Sequence, residues 1–205
     1  MSGRAALPPV PFVGLTGAVA SGKSAALDAF GRLGAATLST DETTHELLAS
    51  EGVAAQLAER WGVEAAPSGV VDRDRVGEIV FERPEELRWL ESVLHPLVGH
   101  RVAEFRASLP AGAMLAVVEV PLLFETGMEA AFDVTVCVVA SDELRARRAG
   151  ERGIAKLAER EAKQLSQEQK AARATHVVRN DGTPADLETA IGELLPRLRA
   201  AGVGG

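Results

Sequence analysis

The feature that most constrains this chain is a glycine-rich segment between an apolar stretch and a helix-forming run. The segment Gly17 to Ser24 satisfies the pattern G-x-x-x-x-G-K-[ST]. Val10 to Thr16 precede it as an apolar strand, and Lys23 to Leu33 follow as a helix. Successive N–H groups in such a loop form an anion nest, and the next helix adds its positive dipole end. The sequence therefore predicts a phosphate-binding loop at the end of the first strand.

Two side chains of this segment carry the chemistry of a nucleoside triphosphate site. Lys23 is expected to reach the β- and γ-phosphate oxygens, and the Ser24 hydroxyl to supply one ligand to Mg²⁺. Every other lysine lies beyond residue 150, so Lys23 is not a generic surface choice. The simpler alternative is a turn with a solvated lysine. The residues predicted to hold ATP here are Gly17, Ala18, Val19, Ala20, Ser21, Gly22, Lys23, Ser24 and Ala25.

The composition is typical of a folded protein without nucleic-acid or membrane partners. With 205 residues, 46% of them apolar, the chain predicts one α/β domain with an inserted or appended subdomain. The formal charge of −7 argues against general binding to nucleic acids or membrane surfaces. No signal peptide or membrane span is expected. The single cysteine, Cys137, lies in an apolar run and can form no internal disulfide, which predicts a buried thiol and a cytoplasmic location.

Short apolar segments alternate with helical patterns along the chain. This alternation predicts a doubly wound parallel sheet of the P-loop NTPase type. Its five strands are expected at Val10–Thr16, Ala36–Leu38, Met114–Val120, Val134–Val139 and His176–Arg179. Asp41 follows the second strand and is the first acidic side chain at the edge where open parallel sheets bind ligands. The alternative is that Asp41 only caps a helix beginning at Glu42.

Two helical regions accompany the predicted sheet. Residues 42–110 repeat apolar side chains at intervals of three and four, and Pro96 predicts a kink or break at His95. The large aromatic residues Trp61, Phe81 and Trp89 are expected in the core rather than at a cofactor. Residues 145–173 predict a helical lid in which Arg145, Arg148 and Arg152 share one face. A solvated face, with Arg147 and Glu151 paired one turn apart, is the alternative explanation of this arginine cluster.

Residues beyond the phosphate loop discriminate among classes of phosphate-loop protein. The late turn at Asn180 lacks the N-K-x-D motif that a GTPase uses to read its base. Glu119 ends an apolar strand as the magnesium-ordering acid of an ATPase motor does, but Val120 to Glu125 follow it as a loop suited to contact a substrate. The chain's size and its arginine-rich region favour a small-molecule kinase.

From about Val10 to Leu198 the chain resembles the dephospho-CoA kinase family. The resemblance rests on the order and spacing of short motifs rather than on any one of them, apart from the phosphate loop. The matching positions are Gly14–Gly17 with Ser21–Ser24, Asp41 with His45, Asp72-Arg73 before Phe81, Leu94–Val98, Val120–Glu125, Arg148 with Arg152, Arg160 with Gln164, and Asn180 with Gly182.

The resemblance implies transfer of the ATP γ-phosphoryl group to the ribose 3′-hydroxyl of dephospho-CoA, with Mg²⁺, as the last step of coenzyme A synthesis. It implies a single domain, with a core at 10–41, 111–140 and 174–200, an acceptor-binding helical insert at 42–110 and a lid at 145–173. Alternatives that remain open are another small-molecule or nucleoside monophosphate kinase, and a nucleotide-sensing protein without transfer activity.

The resemblance also implies individual roles. Asp41, Lys23 and Arg148 are the expected catalytic residues, with Asp41 accepting a hydrogen bond from the attacking hydroxyl. Arg148, Arg152 and Asn180 join the ATP-binding loop, Ser24 is the metal ligand, and the acceptor is expected to contact Asp41, His45, Arg73, Pro121, Leu122 and Leu123.

The chain departs from the family pattern at three positions. The family usually has glycines at Ala18 and Ala20, and alanine in a left-handed conformation costs about 1 kcal/mol. It also has an Asp-x-Asp where Ser39-Thr40-Asp41 stand, and the retained Asp41 is the acid that the implied chemistry needs.

Overall fold

The computed structural model describes residues 10–110, 112–151 and 164–201. These residues form two compact units. The insert unit is Thr40–Ala107, and the core unit contains the described residues on either side of it. In the described part of the chain, no helix has the length and apolar character needed to cross a membrane.

The core unit is built on a parallel sheet of five strands, which confirms the predicted sheet. The strand order is β2-β3-β1-β4-β5. The strands are β1 (Phe12–Gly17), β2 (Ala36–Ser39), β3 (Ala116–Glu119), β4 (Val134–Val139) and β5 (His176–Arg179). The strands β1 and β3 differ from the predicted bounds by one or two residues at each end, β2 ends one residue later than predicted, and β4 and β5 begin and end where predicted.

In the part of the core unit that the structure describes, one α-helix follows β1, two lie between β4 and β5, and one follows β5. They are α1 (Lys23–Arg32), α6 (Asp142–Glu151), α7 (Gln167–Arg173) and α8 (Pro184–Ala201). Apolar side chains of α1 and α8, among them Phe30 and Ile191, form one buried cluster with Val13 and Leu15 of β1. A short 3₁₀ helix, Met128–Ala131, precedes β4.

The opposite face of β1 is covered by the segment between β3 and β4. Side chains alternate along a strand, so Phe12 and Gly14 point away from Val13 and Leu15. The rings of Phe12 and Phe132 stack with centroids 5.0 Å apart. A Cβ added at Gly14 would lie 3.0 Å from the Phe132 ring and 3.2 Å from Leu123. Glycine at this position therefore lets the segment after β3 pack closely on the sheet.

The register brings the ends of three strands to one edge of the sheet. Glu119, the last residue of β3, is paired with Leu15 on one side and Ser39 on the other. The phosphate loop leaves β1 at this edge, and Glu119 is almost completely buried there. The topology thus places an acidic side chain beside the loop predicted to bind phosphate.

The insert unit contains four helices: α2 (Thr40–Leu48), α3 (Glu51–Trp61), α4 (Arg73–Glu82) and α5 (Pro84–Ala107). A short 3₁₀ helix, Pro67–Gly69, lies between α3 and α4. The long helix α5 buries Leu90, Leu94, Val98 and Val102, as the apolar spacing predicts.

Two expectations for the insert unit, a helix break at His95 and a buried Phe81, are wrong, while the kink given as the alternative to the break stays a prediction. The helix α5 runs continuously through Pro96, so no break divides it at His95. A proline removes one N–H and disfavours the α region before it, but the apolar face on both sides of Pro96 is buried and keeps the segment helical. Phe81, expected in the core, is 62% exposed. Trp61 and Trp89 do pack together, with ring centroids 5.1 Å apart in an edge arrangement.

Candidate functional site

The phosphate loop is the turn from β1 into α1, and glycine is required at both ends. Gly22 precedes the first residue of α1 in a left-handed conformation, with φ 96° and ψ 29°. A Cβ at Gly22 would overlap the side-chain amide of Asn180, and one at Gly17 would overlap the Val138 carbonyl. The neighbouring strand and turn therefore require glycine at both positions for steric reasons, whether or not a ligand binds.

The two alanines that depart from the family pattern differ in conformation. Ala20 has a φ of 60°, in the left-handed region that disfavours residues with a Cβ. Ala18 is not among the described residues with positive φ. The expected backbone strain of about 1 kcal/mol therefore applies to Ala20 and not to Ala18.

Lys23 lies across the loop. Its Nζ donates to the carbonyl of Ala18 at 3.0 Å, and the side chain is half-buried. The ammonium group is thus already held over the nest of N–H groups that the loop and the amino end of α1 provide. A cation in this place neutralises a polyphosphate bound by the loop.

Ser24 and Glu119 form the oxygen-rich part of the site. The Ser24 hydroxyl lies 3.5 Å from Glu119 Oε1, and the carboxylate is 4% exposed. Hydroxyl and carboxylate oxygens are ligands that Mg²⁺ prefers, and this ion typically takes one or two protein ligands plus phosphates and water. In the described ranges, His, Cys, Asp and Glu form no group of three or more able to hold a metal ion.

Glu119 lies beside Ser24 but is not among the site residues that the sequence predicts for a kinase. The sequence indicates it only as the magnesium-ordering acid of an ATPase motor. The signal was an acidic residue that ends an apolar strand, but its approach to Ser24 depends on the pairing of β3 with β1. A strand order of this kind is not visible in a single sequence.

Arg148 and Asn180 brace the phosphate loop from outside. The Ser21 carbonyl accepts from Asn180 Nδ2 at 2.9 Å and from Arg148 Nη1 at 3.5 Å. Arg148 Nη2 also donates to the Asn180 carbonyl at 3.0 Å. The structure thus brings two of the predicted ATP-binding residues to the loop. The third, Arg152, lies outside the described residues, as do Arg160 and the rest of residues 152–163 of the predicted lid.

Arg145 is a second loop contact that sequence reasoning did not assign. Its side chain is 9% exposed, and its Nε donates to the Val19 carbonyl at 3.2 Å. Nη1 pairs with Asp142 at 2.9 Å. Arg147, on another side of α6, instead pairs with Glu151 at 3.7 Å in the exposed arrangement given as the alternative for this cluster. One arginine cluster therefore contains both loop-bracing and solvated members.

A cavity of about 520 Å³ lies next to the loop within the core unit. Its wall is formed by Ala18 and Val19 of the loop, by Asp142, Arg145 and Ala146 of α6, and by residues 164–169. The phosphate loop, the face of α6 that carries Arg145, and the start of α7 therefore line the same cavity.

The predicted acceptor loop after β3 is tied down by its first residue. The Pro121 carbonyl accepts from Thr16 Oγ1 at 3.2 Å and from Lys170 Nζ at 2.7 Å. Pro121 and Leu122 are half-buried, whereas the Leu123 side chain is completely buried. Of the three residues, Pro121 and Leu122 have side-chain surface available to a ligand, and Leu123 fixes the loop in the core.

The remaining predicted acceptor residues are in the insert unit: Asp41 and His45 lie on α2, and Arg73 begins α4. Asp41 is the second residue of α2, so it lies inside the first turn rather than at the cap position given as its alternative role. His45 follows four residues later on the same helix face, and both side chains are exposed. Arg73, the first residue of α4, donates to the His45 carbonyl at 3.3 Å. Three of the predicted residues thus belong to one short region of the insert unit.

Cys137 lies in the buried strand β4 as a free thiol, as predicted. Burial raises the pKa of the thiol to about 11, although Lys170 and Lys23 act in the opposite direction. A thiol with so high a pKa stays protonated near neutral pH and is a poor nucleophile. Cys137 therefore belongs to the core and not to the chemistry.

Comparisons with known proteins agree with this geometry. The model of the family described as CoaE, dephospho-CoA kinase, matches residues 11–186. A dephospho-CoA kinase of Frankia casuarinae is 37% identical over 92% of this chain and 83% of its own length. One of Ruegeria pomeroyi is 34% identical over 93% of this chain and 97% of its own. The crystal structure of TT1252 from Thermus thermophilus superposes with a TM-score of 0.78 at 35% identity, covering 92% of this chain and 98% of that one.

Proposed function

The chain belongs to the dephospho-CoA kinase family, and we propose that it transfers the γ-phosphoryl group of ATP to the ribose 3′-hydroxyl of dephospho-CoA, giving coenzyme A and ADP. The observation that carries the proposal is the phosphate loop, with Lys23 over it and a buried acid beside it. Family membership supplies the identity of the acceptor. The reaction completes coenzyme A synthesis, and the free buried thiol Cys137 agrees with a reducing cytoplasm.

The loop residues Gly17 to Ala25 would bind the ATP phosphates through main-chain N–H groups and the amino end of α1. Lys23 would move from the Ala18 carbonyl to the β- and γ-phosphate oxygens. Arg148 and Asn180, which hold the Ser21 carbonyl, would keep the loop in its binding shape. Arg148 and Arg152 would also add positive charge near the transferred group, where phosphoryl transfer needs it most.

Ser24 and Glu119 are the residues that would hold Mg²⁺ in this site. Their oxygens face each other at 3.5 Å, and both are of the type this ion prefers. The ion would supply charge neutralisation for the bound phosphates. Ser39 stands where the family has the first acid of its Asp-x-Asp, so Glu119 would be the carboxylate ligand of this metal site.

Asp41 would accept the hydrogen bond of the ribose 3′-hydroxyl and take its proton late in the transfer. It follows Ser39, the last residue of β2, by two positions, at the carboxyl end of the sheet. His45 and Arg73 would bind the acceptor on the insert unit, and Pro121 and Leu122 on the core unit. Leu123 would support that loop from the core.

A coupled ADP-release assay tests the proposal. With ATP, Mg²⁺ and dephospho-CoA, the enzyme should release ADP at a rate that saturates with dephospho-CoA. Adenylate and simple polyols should give little turnover over the same concentration range. Comparable turnover of adenylate would identify a different kinase, and ATP binding without transfer to any of these acceptors would identify a nucleotide-sensing protein.

A further inference from the structure

Lys170 is completely buried, and none of the proposed roles above uses it. It lies on α7, and its side chain has 0% exposure. The ammonium group contacts three oxygens: the Pro121 carbonyl at 2.7 Å, Glu125 Oε1 at 3.0 Å and Gln164 Oε1 at 3.4 Å. A buried lysine is costly unless it is paired and hydrogen-bonded, and here all three contacts are of that kind.

Two of the three oxygens that Lys170 contacts, those of Pro121 and Glu125, belong to the loop after β3. The Pro121 carbonyl is shared with the Thr16 hydroxyl, which lies one residue before the phosphate loop begins. Glu125 Oε1 is shared with the N–H of Leu165 at 2.9 Å. The single ammonium group therefore joins the loop after β3 to the segment that enters α7.

A second cation on α7 holds the same segment further along. Arg173 pairs with Glu129, and its guanidinium lies 4.7 Å from the centroid of the Phe124 ring. Lys170 and Arg173 are three residues apart and so lie on neighbouring parts of one helix face. At the start of α7, the Gln167 side chain binds both main-chain groups of Ala140 at the end of β4. The helix is thus fixed to the sheet on one side and to the loop on the other.

We infer that Lys170 is a positioning residue for the acceptor: it sets the shape of the loop Pro121 to Glu125 and couples that loop to residues 164–165, which precede α7. This inference rests on the proposed function, because it takes Pro121 and Leu122 as acceptor contacts. Lys170 does not touch the reacting groups, so its effect reaches the acceptor through the Pro121 carbonyl and the Glu125 carboxylate.

The charge of Lys170 matters here because of its position. A neutral side chain of similar length fills the space but donates no hydrogen bond to Pro121 and leaves Glu125 without its cation. The loop then keeps only the Thr16 hydroxyl and the Leu165 N–H as anchors at these two oxygens. The phosphate loop retains its own braces from Arg145, Arg148 and Asn180. Loss of Lys170 should therefore weaken acceptor binding much more than ATP binding.

Steady-state kinetics of Lys170→Met tests the inference. The expected result is a KM for dephospho-CoA raised by about tenfold or more, with the KM for ATP within about threefold of wild type. Lys170→Arg restores a donor at this position and should recover most of the acceptor affinity. Arg32→Met is the control, because it removes an exposed cation of α1 that pairs with Glu188 of α8. Equal changes in the two KM values, or none, would overturn the inference.

A second variant distinguishes a loss of acceptor positioning from a loss of folding. Lys170→Met leaves the Glu125 carboxylate buried without its cation, whereas the double variant Lys170→Met/Glu125→Gln removes both charges. The double variant should fold, as judged by circular dichroism and a cooperative thermal transition, and should show the same rise in the KM for dephospho-CoA. Wild-type KM values in a folded double variant would exclude a positioning role.

Hydrogen exchange separates this inference from the proposed function. In Lys170→Met, amides of residues 122–130 and 164–166 should exchange faster than in wild type, with α2 to α5 unchanged. If wild type turned over no dephospho-CoA, the proposed function would be wrong. The exchange rates would still show whether Lys170 holds the loop Pro121 to Glu125. If exchange in the loop were unchanged, Lys170 would not hold it, whatever the substrate.

Discussion

Single residues shape the phosphate loop by holding its main-chain carbonyls. Arg145 binds the carbonyl of Val19, and Asn180 with Arg148 binds that of Ser21. In a planar trans peptide the C=O and the following N–H point in opposite directions. Holding the carbonyls towards α6 and the late turn therefore aims the N–H groups of Ala20 and Gly22 the other way. The loop is thus prepared for an anion by side chains that lie outside the motif.

Arg145 provides a test of this preorganisation. Arg145→Met should raise the KM for ATP by about tenfold, because the Val19 carbonyl loses its donor and the loop must be ordered on binding. Arg147→Met is the matched control, since Arg147 lies two residues away on the same helix in an exposed pair with Glu151. It should leave the KM for ATP within about twofold of wild type. Equal effects of the two substitutions would show that the bond to Val19 does not matter.

Asp41 is the residue on which the proposed transfer step depends. Asp41→Asn preserves size and removes the proton acceptor, so kcat should fall by about 10² or more. ATP affinity should stay within a few fold, because in the proposed mechanism Asp41 contacts the acceptor hydroxyl and not the nucleotide. Asp41→Glu is the companion variant that keeps the charge and tests its distance. Wild-type kcat in Asp41→Asn would remove this residue from the chemistry.

At the scale of elements, local patterns predicted some features well and others poorly. The loop between β1 and α1 and the buried face of α5 follow from short-range spacing, and both are found. Pro96 predicts a kink or a break because a proline disfavours the α conformation before it, yet packing on both sides keeps one continuous helix. The sequence indicates Glu119 only for an ATPase motor, because its approach to Ser24 depends on the pairing of β3 with β1, which no local pattern shows. Contacts between elements are what a periodicity cannot report.

The insert unit contains a cluster of hydrogen bonds around Glu86, near the start of α5. Glu86 accepts from Arg60 Nε at 3.0 Å and Nη2 at 3.1 Å, and from Trp61 Nε1 at 2.7 Å. The Arg60 guanidinium also lies 5.4 Å from the Trp89 ring. The hydrogen bond from Arg60, followed by that from Trp61, lowers the pKa of Glu86 below its usual value. This carboxylate therefore links the end of α3 to the start of α5.

The lowered pKa of Glu86 makes a pH-dependent prediction. A carboxyl whose folded pKa lies below its unfolded value stabilises the fold fully above the unfolded value, about 4.3, and loses that contribution as pH falls through the folded value. Glu86→Gln should lower the urea midpoint at pH 7, and the gap to wild type should narrow below about pH 4. Glu85→Gln, at the exposed neighbour in the same first turn, is the control for the helix dipole. A gap that stays constant with pH would exclude the ionised form of Glu86 as its source.

At the scale of the whole molecule, an acidic chain binds a polyanion by concentrating its cations. The formal charge is −7, yet Lys23 lies across the phosphate loop and Arg145 and Arg148 hold its carbonyls. The sequence alone predicted the parallel sheet, the loop and the family. It could not predict that Arg145 also reaches the loop or that Lys170 is buried, because both depend on how α6 and α7 pack on the sheet.

The most direct test of the account is to identify the product formed from ATP, Mg²⁺ and dephospho-CoA. Mass spectrometry and phosphorus NMR should show coenzyme A with the new phosphate on the ribose 3′ oxygen, in amounts equal to the ADP released. Lys23→Ala, examined in parallel, should bind ATP weakly and form little of either product. ADP released without coenzyme A, or a phosphate attached at another position, would contradict the proposed transfer.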